Sequence, residues 1–550
     1  MNQATPAEDN TALALHELID RIVAEEPPLS RRKLDPLPVS GTLQGLNQRL
    51  ERRPVADFFN YTLRGVGQVI FANNPISGVL VLLALLIQSP WGCLLSLVGV
   101  LTSTVTALLL RCDRTSLRNG FFGYNGLPVG AALALFSDPD AGAGRWAWVV
   151  ATILFSALTA VLMQTLGGWM AKTWKVPSLS VPFNIATLSC LALVQWVPQP
   201  WLALKTASAV EATSGLDWLE LAASLPRGFG QVVLADGLVP GVLVVLAVAL
   251  CSPLGALVGL LGGVLGLLAG ISLGLASPEA LYAGLWGYNA ALTLMSLGGI
   301  FYAPTTRSLL IGAIAAFLSA ALAGALGPGF SLLGLPVLTV PFCLITIGAC
   351  ILLQRSLPSL VPVALHALAS PEEHYQRYRA AKFVIRNFRH QLAVALANRR
   401  RYYLFDRASQ KTKGDLRYLF NLIDTDFSNT ISTQELSAHL RQAGQVVSEA
   451  ELAYLFSRMD SDGNGSIDFA EFGELMLRHR RLMANYQDFV AYFIPIDANG
   501  DDAISLAEMN VALASVGEVC FSPEEEAYLA EQMDNQPLTW NRFVEMLLIS

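Results

Sequence analysis

Charge is what this 550-residue chain has least of: Asp, Glu, Lys and Arg make up 14% of it, against 53% hydrophobic residues. With a mean hydropathy of +0.47, that scarcity excludes a single soluble globular domain. No charged residue occurs from Val66 to Leu110 or from Ser308 to Gln354, and each gap is long enough for about two membrane spans at roughly 20 residues apiece. Paired cysteine spacing is missing as well. The seven cysteines stand at 93, 112, 190, 251, 343, 350 and 520, six of them in the apolar region, which excludes a disulfide framework and predicts a reduced chain. Residues 1–60 lack a basic stretch followed by an apolar core, so no cleavable signal peptide is expected. No nucleophile–base pairing and no phosphate-binding loop stands out, which argues against an enzyme and against a nucleic-acid binder. Lysine is absent from Leu416 onward, where 22 acids face 7 arginines for a net −15 in a chain of net −7. A basic membrane part therefore precedes an acidic soluble part.

What the apolar region does contain is a repeat. RGVGQVIFANN at 64–74 matches RGFGQVVLADG at 227–237, GFFGYNGLPVG at 120–130 matches GLWGYNAALTL at 284–294, and VPSLSVPFN at 176–184 matches LPVLTVPFC at 335–343. Three motifs in the same order at nearly constant offset mark two copies of one unit. Apolar stretches fall at roughly 66–90, 91–110, 145–170 and 177–197, then at about 229–251, 253–276, 308–327 and 336–354, with a short GYN segment inside each copy. Arg31, Arg32, Lys33, Arg49, Arg52, Arg53 and Arg64 precede the first span, and Arg377, Arg379, Lys382, Arg386, Arg389 and Arg399 to Arg401 follow the last. The positive-inside rule then puts both ends in the cytoplasm and requires an even number of crossings. Five crossings per copy would make the halves inverted; parallel copies would need an even number each.

Short, interrupted segments at matching places in two halves point to a transport site. Pro177, Pro182, Pro336 and Pro341 each remove a helical N–H, freeing carbonyls and hydroxyls toward a pathway. Ser180 and Thr339 occupy the same place in the two copies and would meet at a central constriction. Gln68 and Gln231 offer an amide that both accepts and donates, while Phe71, Leu234, Tyr124 and Tyr288 supply flat apolar walls. Such a set suits a small, flat, neutral molecule rich in N–H donors, since losing an amide hydrogen bond without replacement costs roughly 2–7 kcal/mol. Between Gly228 and Pro278 the one acid is Asp236, and coupled transporters normally carry ionisable residues in their spans, so passive flux is expected. Taken singly, glycines and hydroxyls in membrane helices serve close packing; the duplication of the whole ordered set is what points beyond it.

These residues carry a resemblance. Over roughly 60–357 the chain resembles the urea transporter family: LPVLTVPF at 335–342 is similar to its Leu-Pro-x-x-Thr-x-Pro-Phe signature, and VPSLSVPF at 176–183 to a relaxed first copy, alongside the GYN pairs and Asn74-Pro75. The resemblance implies a homotrimer in which each subunit passes urea down its gradient between two inverted halves. Gln68 and Gln231 would orient urea at the outer sites, Phe71, Leu234, Tyr124, Tyr288 and Leu292 would line the slot, and Ser180 and Thr339 would stand at its centre. Ser180 replaces a usual Thr, Gly237-Leu238 an Asn-Pro pair, and Pro128 a usual Leu.

In the acidic tail, units resembling EF-hands begin with Asp424, Asp460, Asp497 and Asp534. Leu416, Leu419, Phe420 and Ile423, then Leu452, Leu455, Phe456 and Met459, then Phe489, Tyr492, Phe493 and Ile496 form one face of each incoming helix. Calcium takes six to eight oxygens, with a turn residue sixth and a bidentate Glu twelfth. Asp460, Asp462, Asn464, Ser466, Asp468 and Glu471 with Gly465 meet that pattern; Asp424, Asp426, Ser428, Thr430, Ser432 and Glu435 do so with Asn429 at the turn. The third loop offers Asp497, Asn499, Asp501, Ala503, Ser505 and Glu508, with Asp502 in place of glycine, and the fourth, Asp534-Asn535-Gln536-Pro537, reads as a silent pairing partner.

The expected architecture is thus all-α: a cytoplasmic segment 1–60; a polytopic membrane domain 61–360 of two inverted five-helix repeats (about 61–200 and 225–357), with about ten spans plus short re-entrant segments; a basic amphipathic linker 361–415; and a soluble EF-hand domain 416–550 of two pairs. Within the linker, residues 371–415 hold 11 basic against 4 acidic residues, interleaved with Phe383, Ile385, Phe388 and Leu392. They fit either a helix lying on the anionic leaflet or an internal target of calcium-loaded hands. The expected function is passive urea flux through the plasma or inner membrane, with calcium binding by the cytoplasmic EF-hand domain as a candidate regulator of that flux, no enzyme activity and no nucleic acid. The alternatives are a membrane-anchored calcium sensor that conducts little, or a channel for ammonia or a short amide.

Overall fold

The computed structural model of the chain describes residues 41–138, 144–196, 202–205 and 217–356, most of 360–379, residue 382, then 403–442, 449–477, 503–515, 519–532 and 538–539, except Glu51 and Ser461. The described residues form two compact units, one within Pro36–Tyr375 and the other within Gln376–Ser550.

The first unit is helical. After a short α1 (Gln44–Leu50) come α2 (Pro54–Gln68), α3 (Pro75–Gln88), α4 (Pro90–Leu109), α5 (Arg114–Arg118), α6 (Gly126–Phe136), α7 (Arg145–Thr173) and α8 (Val181–Trp196). The same series then recurs as α9 (Trp218–Gln231), α10 (Leu238–Cys251), α11 (Pro253–Ser272), α12 (Pro278–Tyr282), α13 (Gly287–Met295), α14 (Thr306–Leu332) and α15 (Val340–Ser356). Local chemistry sets the starts. Asn74, Ser89 and Ser252 each accept a backbone N–H of the helix that follows, and Pro75, Pro90 and Pro253 occupy its first position, where no N–H is needed. Gly120 and Gly284, with φ of +76° and +74°, lie against the backbone of Gly65 and Gly228 so closely that a Cβ would collide, so this turn needs glycine in both copies.

The stretches 66–90 and 229–251, expected as continuous apolar segments, are interrupted. Phe71 N–H bonds Gln68 O at 3.0 Å and Ala72 N–H bonds Gly67 O at 3.0 Å; Leu234 and Ala235 do the same to Gln231 and Gly230 at 3.0 and 2.9 Å. This is a Schellman end of α2 and α9, with Phe71 (φ 57°) and Leu234 (φ 58°) at the left-handed position usually given to glycine. Hydropathy is blind to the break because the residues that make it are apolar. The helices that follow, α3 and α10, have 14 residues each and reach about 21 Å at 1.5 Å per residue, short of a hydrocarbon core of about 30 Å.

Among the described residues, α4, α7, α11 and α14 are long and apolar enough to cross a membrane. They expose Leu109, Leu154, Leu257 and Ile314, an apolar rim suited to lipid. The short α13 is almost wholly buried and α6 is buried from Gly126 to Leu133; α6 packs against α4, α7 and α8, and α13 against α11, α14 and α15. The copies meet along α3 and α10, where the Ser77 hydroxyl donates to Ala247 O at 2.6 Å, and along α8 and α15.

In the second unit α16 (Tyr403–Arg407) precedes α17 (Gln410–Ile423), β1 (Thr430–Ile431), α18 (Thr433–Gln442), α19 (Glu449–Met459), β2 (Ile467–Asp468) and a helix over 469–477. Leu416, Leu419, Phe420 and Ile423, the apolar face expected of the first incoming helix, are all buried. Leu419, Phe420 and Ile423 pack with Ile431, Leu436, Phe456, Ile467 and Phe472, and Leu452 and Met459 lie against this core. Further along are β3 (Ala503–Ile504), α20 (Leu506–Ser515), α21 (Pro523–Gln532) and β4 (Leu538–Thr539). Residues 1–40, the apolar linker residues Phe383, Ile385, Phe388 and Leu392, and the incoming face Phe489, Tyr492, Phe493 and Ile496 lie outside the described residues.

Candidate functional site

The two Pro-flanked motifs form the centre of the first unit, and their prolines do something other than expected. Pro182 and Pro341 sit in the first turns of α8 and α15, and Pro177 and Pro336 precede those helices. None interrupts a helix; together they start one. Nor is the freed carbonyl of each motif left for a solute. Tyr124 donates its hydroxyl to Leu179 O at 2.6 Å, and Tyr288 donates to Leu338 O at 2.6 Å. Asn125 and Asn289 add a second donor to the same carbonyls at 3.4 and 3.2 Å. Their side-chain oxygens accept from Phe183 N–H at 3.2 Å and Phe342 N–H at 3.3 Å. One asparagine therefore holds both sides of each break, capping the first turn of the next helix from a distance. Leu179 and Leu338 both have φ of 50°, a conformation costing a non-glycine residue about 1–2 kcal/mol. Of this clamp the sequence reading named the tyrosines, as walls, but missed Asn125 and Asn289 as its pivot; their recurrence in the GYN motif was the available signal.

The clamps bring together residues from opposite copies. Ser180 Oγ lies 2.7 Å from Thr339 Oγ1. Asn184, four residues after Ser180, accepts from Thr339 N–H at 3.2 Å and from the Thr339 hydroxyl at 3.1 Å. Cys343, four residues after Thr339, lies with its Sγ 3.3 Å from Ser180 Oγ. The rings cross over too. Phe71 packs edge-on against Phe342 and Phe301 at centroid distances of 6.3 and 6.2 Å, while Leu234 packs on a cluster containing Phe183 and Leu338. Phe183, Phe301 and Phe342 had no role in the sequence reading. Gln68 Oε1 is buried and accepts no hydrogen bond from the described residues, whereas Gln231 donates through Nε2 to Ala283 O at 2.9 Å. Leu292 is buried on α13 in the hydrophobic core, and Asp236 accepts from Gln88 Nε2 at 2.6 Å.

A family model described as "Urea transporter" matches residues 59–354. This chain belongs to the urea transporter family. Among similar proteins, Urea transporter 1 of Capra hircus is 34% identical over 342 residues, which is 61% of this chain and 88% of that protein. Urea transporter 1 of Ovis aries has the same identity and coverage, and that of Mus musculus is 34% identical over 343 residues. The urea transporter match ends at residue 354, and a second kind of site follows it.

In the first acidic loop Asp424, Asp426 and Glu435 bring a carboxylate oxygen each to within 4.8 Å of the others, and in the second Asp460, Asp462 and Glu471 do the same. Backbone donors hold the acids. Ser428 N–H bonds Asp424 and Asp426 at 3.0 and 2.9 Å, and Asn429 N–H bonds Asp424 at 2.9 Å. In the second loop Asn464 N–H bonds Asp460 and Asp462 at 3.1 Å each, and Gly465 N–H bonds Asp460 at 2.7 Å. Asn429 (φ 62°) and Gly465 (φ 79°) both take the left-handed turn. Burial pushes the Glu435 carboxyl up, but donation from Ser432, Thr425 and Asp426 outweighs it and holds the carboxyl at about 2. The loops pair through Thr430 with Asp468 and Ile431 with Ile467. An EF-hand pair model matches residues 413–477. Six oxygens of the calcium pattern are thus available in each loop, from Asp424, Asp426, Ser428, Thr430 and Glu435, and from Asp460, Asp462, Asn464, Ser466 and Glu471, with each glutamate counted twice.

In the third loop Glu508 accepts from Ser505 N–H and hydroxyl at 2.8 Å each, as Glu435 does from Ser432. Asp497, Asn499 and Asp501 lie outside the described residues. The register of the fourth unit differs from expectation. Ile504, at the eighth loop position, pairs with Leu538, whereas a loop beginning at Asp534 would put Asn541 there. Without ligating acids to fix it, the fourth unit aligns by its apolar strand residue.

Proposed function

We propose that this chain passes urea passively across a membrane and binds calcium through its tail, without enzyme activity. The observation that carries this reading is the meeting of Ser180 and Thr339, from opposite copies, at 2.7 Å, next to carbonyls held by the hydroxyls of Tyr124 and Tyr288. Oxygen acceptors beside apolar faces replace the water that a neutral N–H donor sheds, while hydrated ions find no charge there. Gln68, with its buried free carbonyl, serves as an acceptor at one entrance, and Gln231 at the other; Phe71, Leu234, Tyr124, Tyr288 and Leu292 contribute to the walls.

The two copies are inverted halves with five crossings each, so that both termini and the tail lie in the cytoplasm, and subunits assemble as trimers. The carboxylate clusters in the first and second loops support calcium there, with the third loop as a weaker site. Calcium on the tail adjusts flux through the basic linker. Stopped-flow light scattering on proteoliposomes, with calcium or chelator on both sides, tests the transport and its regulation. Urea efflux above that of empty vesicles is expected; none in either condition would leave an anchored calcium sensor. Flux that ignores calcium would refute the regulatory part alone.

A further inference from the structure

Four polar side chains close a ring at the meeting of the two copies. The Asn184 amide has a determined orientation, because Thr339 N–H, which only donates, faces its oxygen at 3.2 Å. Its nitrogen therefore donates to Cys343 Sγ at 3.5 Å. The Thr339 hydroxyl, which has a single hydrogen, gives it to Asn184 Oδ1 at 3.1 Å. That settles the short Ser180–Thr339 contact of 2.7 Å: Ser180 donates and Thr339 accepts. Ser180, its own hydrogen used, then accepts the Cys343 S–H across 3.3 Å. Every hydrogen in the ring runs in one direction, from Asn184 to Cys343, to Ser180, to Thr339 and back, and each bond polarises the next.

We infer that Asn184 and Cys343 are positioning residues that hold the Ser180 and Thr339 hydroxyls as acceptors alone, so the constriction offers a solute oxygen lone pairs and no hydrogen. Each hydroxyl oxygen has two lone pairs and spends one inside the ring, which leaves one apiece. A solute bearing N–H hydrogens is matched on arrival, whereas one that presents only acceptors meets like partners. Had either hydroxyl been free to rotate, it would present a donor to the carbonyl end of the solute part of the time, and the preference would fall. The inference rests on the urea reading and assigns the selectivity of that same site to the partners of its two hydroxyls.

Two measurements on the full-length protein test it. In proteoliposomes, Asn184→Leu removes the acceptor for Thr339 and is expected to slow urea about tenfold, the equivalent of ~1.4 kcal/mol. Asn184→Asp, which burial keeps in its neutral form, retains a carbonyl oxygen facing Thr339 and an O–H for Cys343, and is expected to stay within about threefold of the parent, on the scale of a retained hydrogen bond. All three side chains are similar in size, so a packing role would not separate them. Parent-like urea flux in Asn184→Leu, or equal losses in both variants, overturns the inference. In infrared difference spectra, the S–H stretch that disappears in Cys343→Ala should move to higher frequency in Ser180→Ala, which takes away its acceptor. An unmoved S–H band overturns the ring directly, and this readout holds even if the parent passes no urea, the outcome that would sink the urea reading instead.

Discussion

The constriction loops and the calcium loops solve similar geometric problems in opposite ways. Both come in pairs, both turn through left-handed residues, Leu179 and Leu338 in one pair and Asn429 and Gly465 in the other, and both gather oxygens. At the proposed constriction, Tyr124 with Asn125 and Tyr288 with Asn289 hold the strained carbonyls, so protein contacts place the segments that carry Ser180 and Thr339. In the calcium loops, three carboxylates converge within 4.8 Å, and their mutual repulsion is relieved by a cation. The first is organised by protein contacts, which suits the proposed conduction, because a site that reorders around each solute would hold it. The second would be completed by the cation it is proposed to bind.

Five changes break or sharpen that contrast. The largest effect is expected from Thr339→Trp, which fills the constriction; urea efflux should drop to the rate of empty vesicles while the protein still inserts, and unchanged flux would show that Ser180 and Thr339 do not line the path. Next, Glu471→Gln removes the negative charge and one of the two ligating oxygens of the second loop's glutamate and should weaken calcium there about tenfold or more, ~1.4 kcal/mol, read by titration calorimetry. Chelation should then separate the units thermally. Calcium at a hundred times its dissociation constant stabilises its site by about 2.7 kcal/mol, so calorimetric scans with and without chelator should move the tail transition by several degrees and leave the membrane unit in place. The smallest effect belongs to Tyr288→Phe: Leu338 O keeps Asn289 as a donor at 3.2 Å, so the loss should be about 1 kcal/mol of stability, seen as a modest fall in melting temperature. Deleting residues 416–550 completes the comparison, since flux should persist and any calcium response should vanish.

Much of this was legible in the linear pattern, and the parts that were not share a cause. The copy structure, the GYN and Pro-flanked motifs and the first two calcium loops are local, because a helix start, a proline or a ligand at alternating positions acts within a dozen residues. The interruptions after Gln68 and Gln231 escaped because Phe71 and Leu234 suit an apolar span by composition; only the backbone shows them left-handed. The clamp escaped because Tyr124 and Leu179 are 55 residues apart, and the fourth calcium unit was misregistered because its sequence lacks the acids that make the others readable.

The amino-acid sequence by itself determined that there would be two copies of a buried apolar unit, a hydroxyl at the matching place in each, and an acidic tail whose loops gather carboxylates. These follow from hydropathy, proline and ligand spacing, all short-range. Tertiary structure alone decided that Ser180 of one copy would face Thr339 and Cys343 of the other, and Thr339 face Asn184. Those partners lie 155 to 163 residues apart, and what brings them to hydrogen-bond distance is the packing of whole helices, α3 on α10 and α8 on α15.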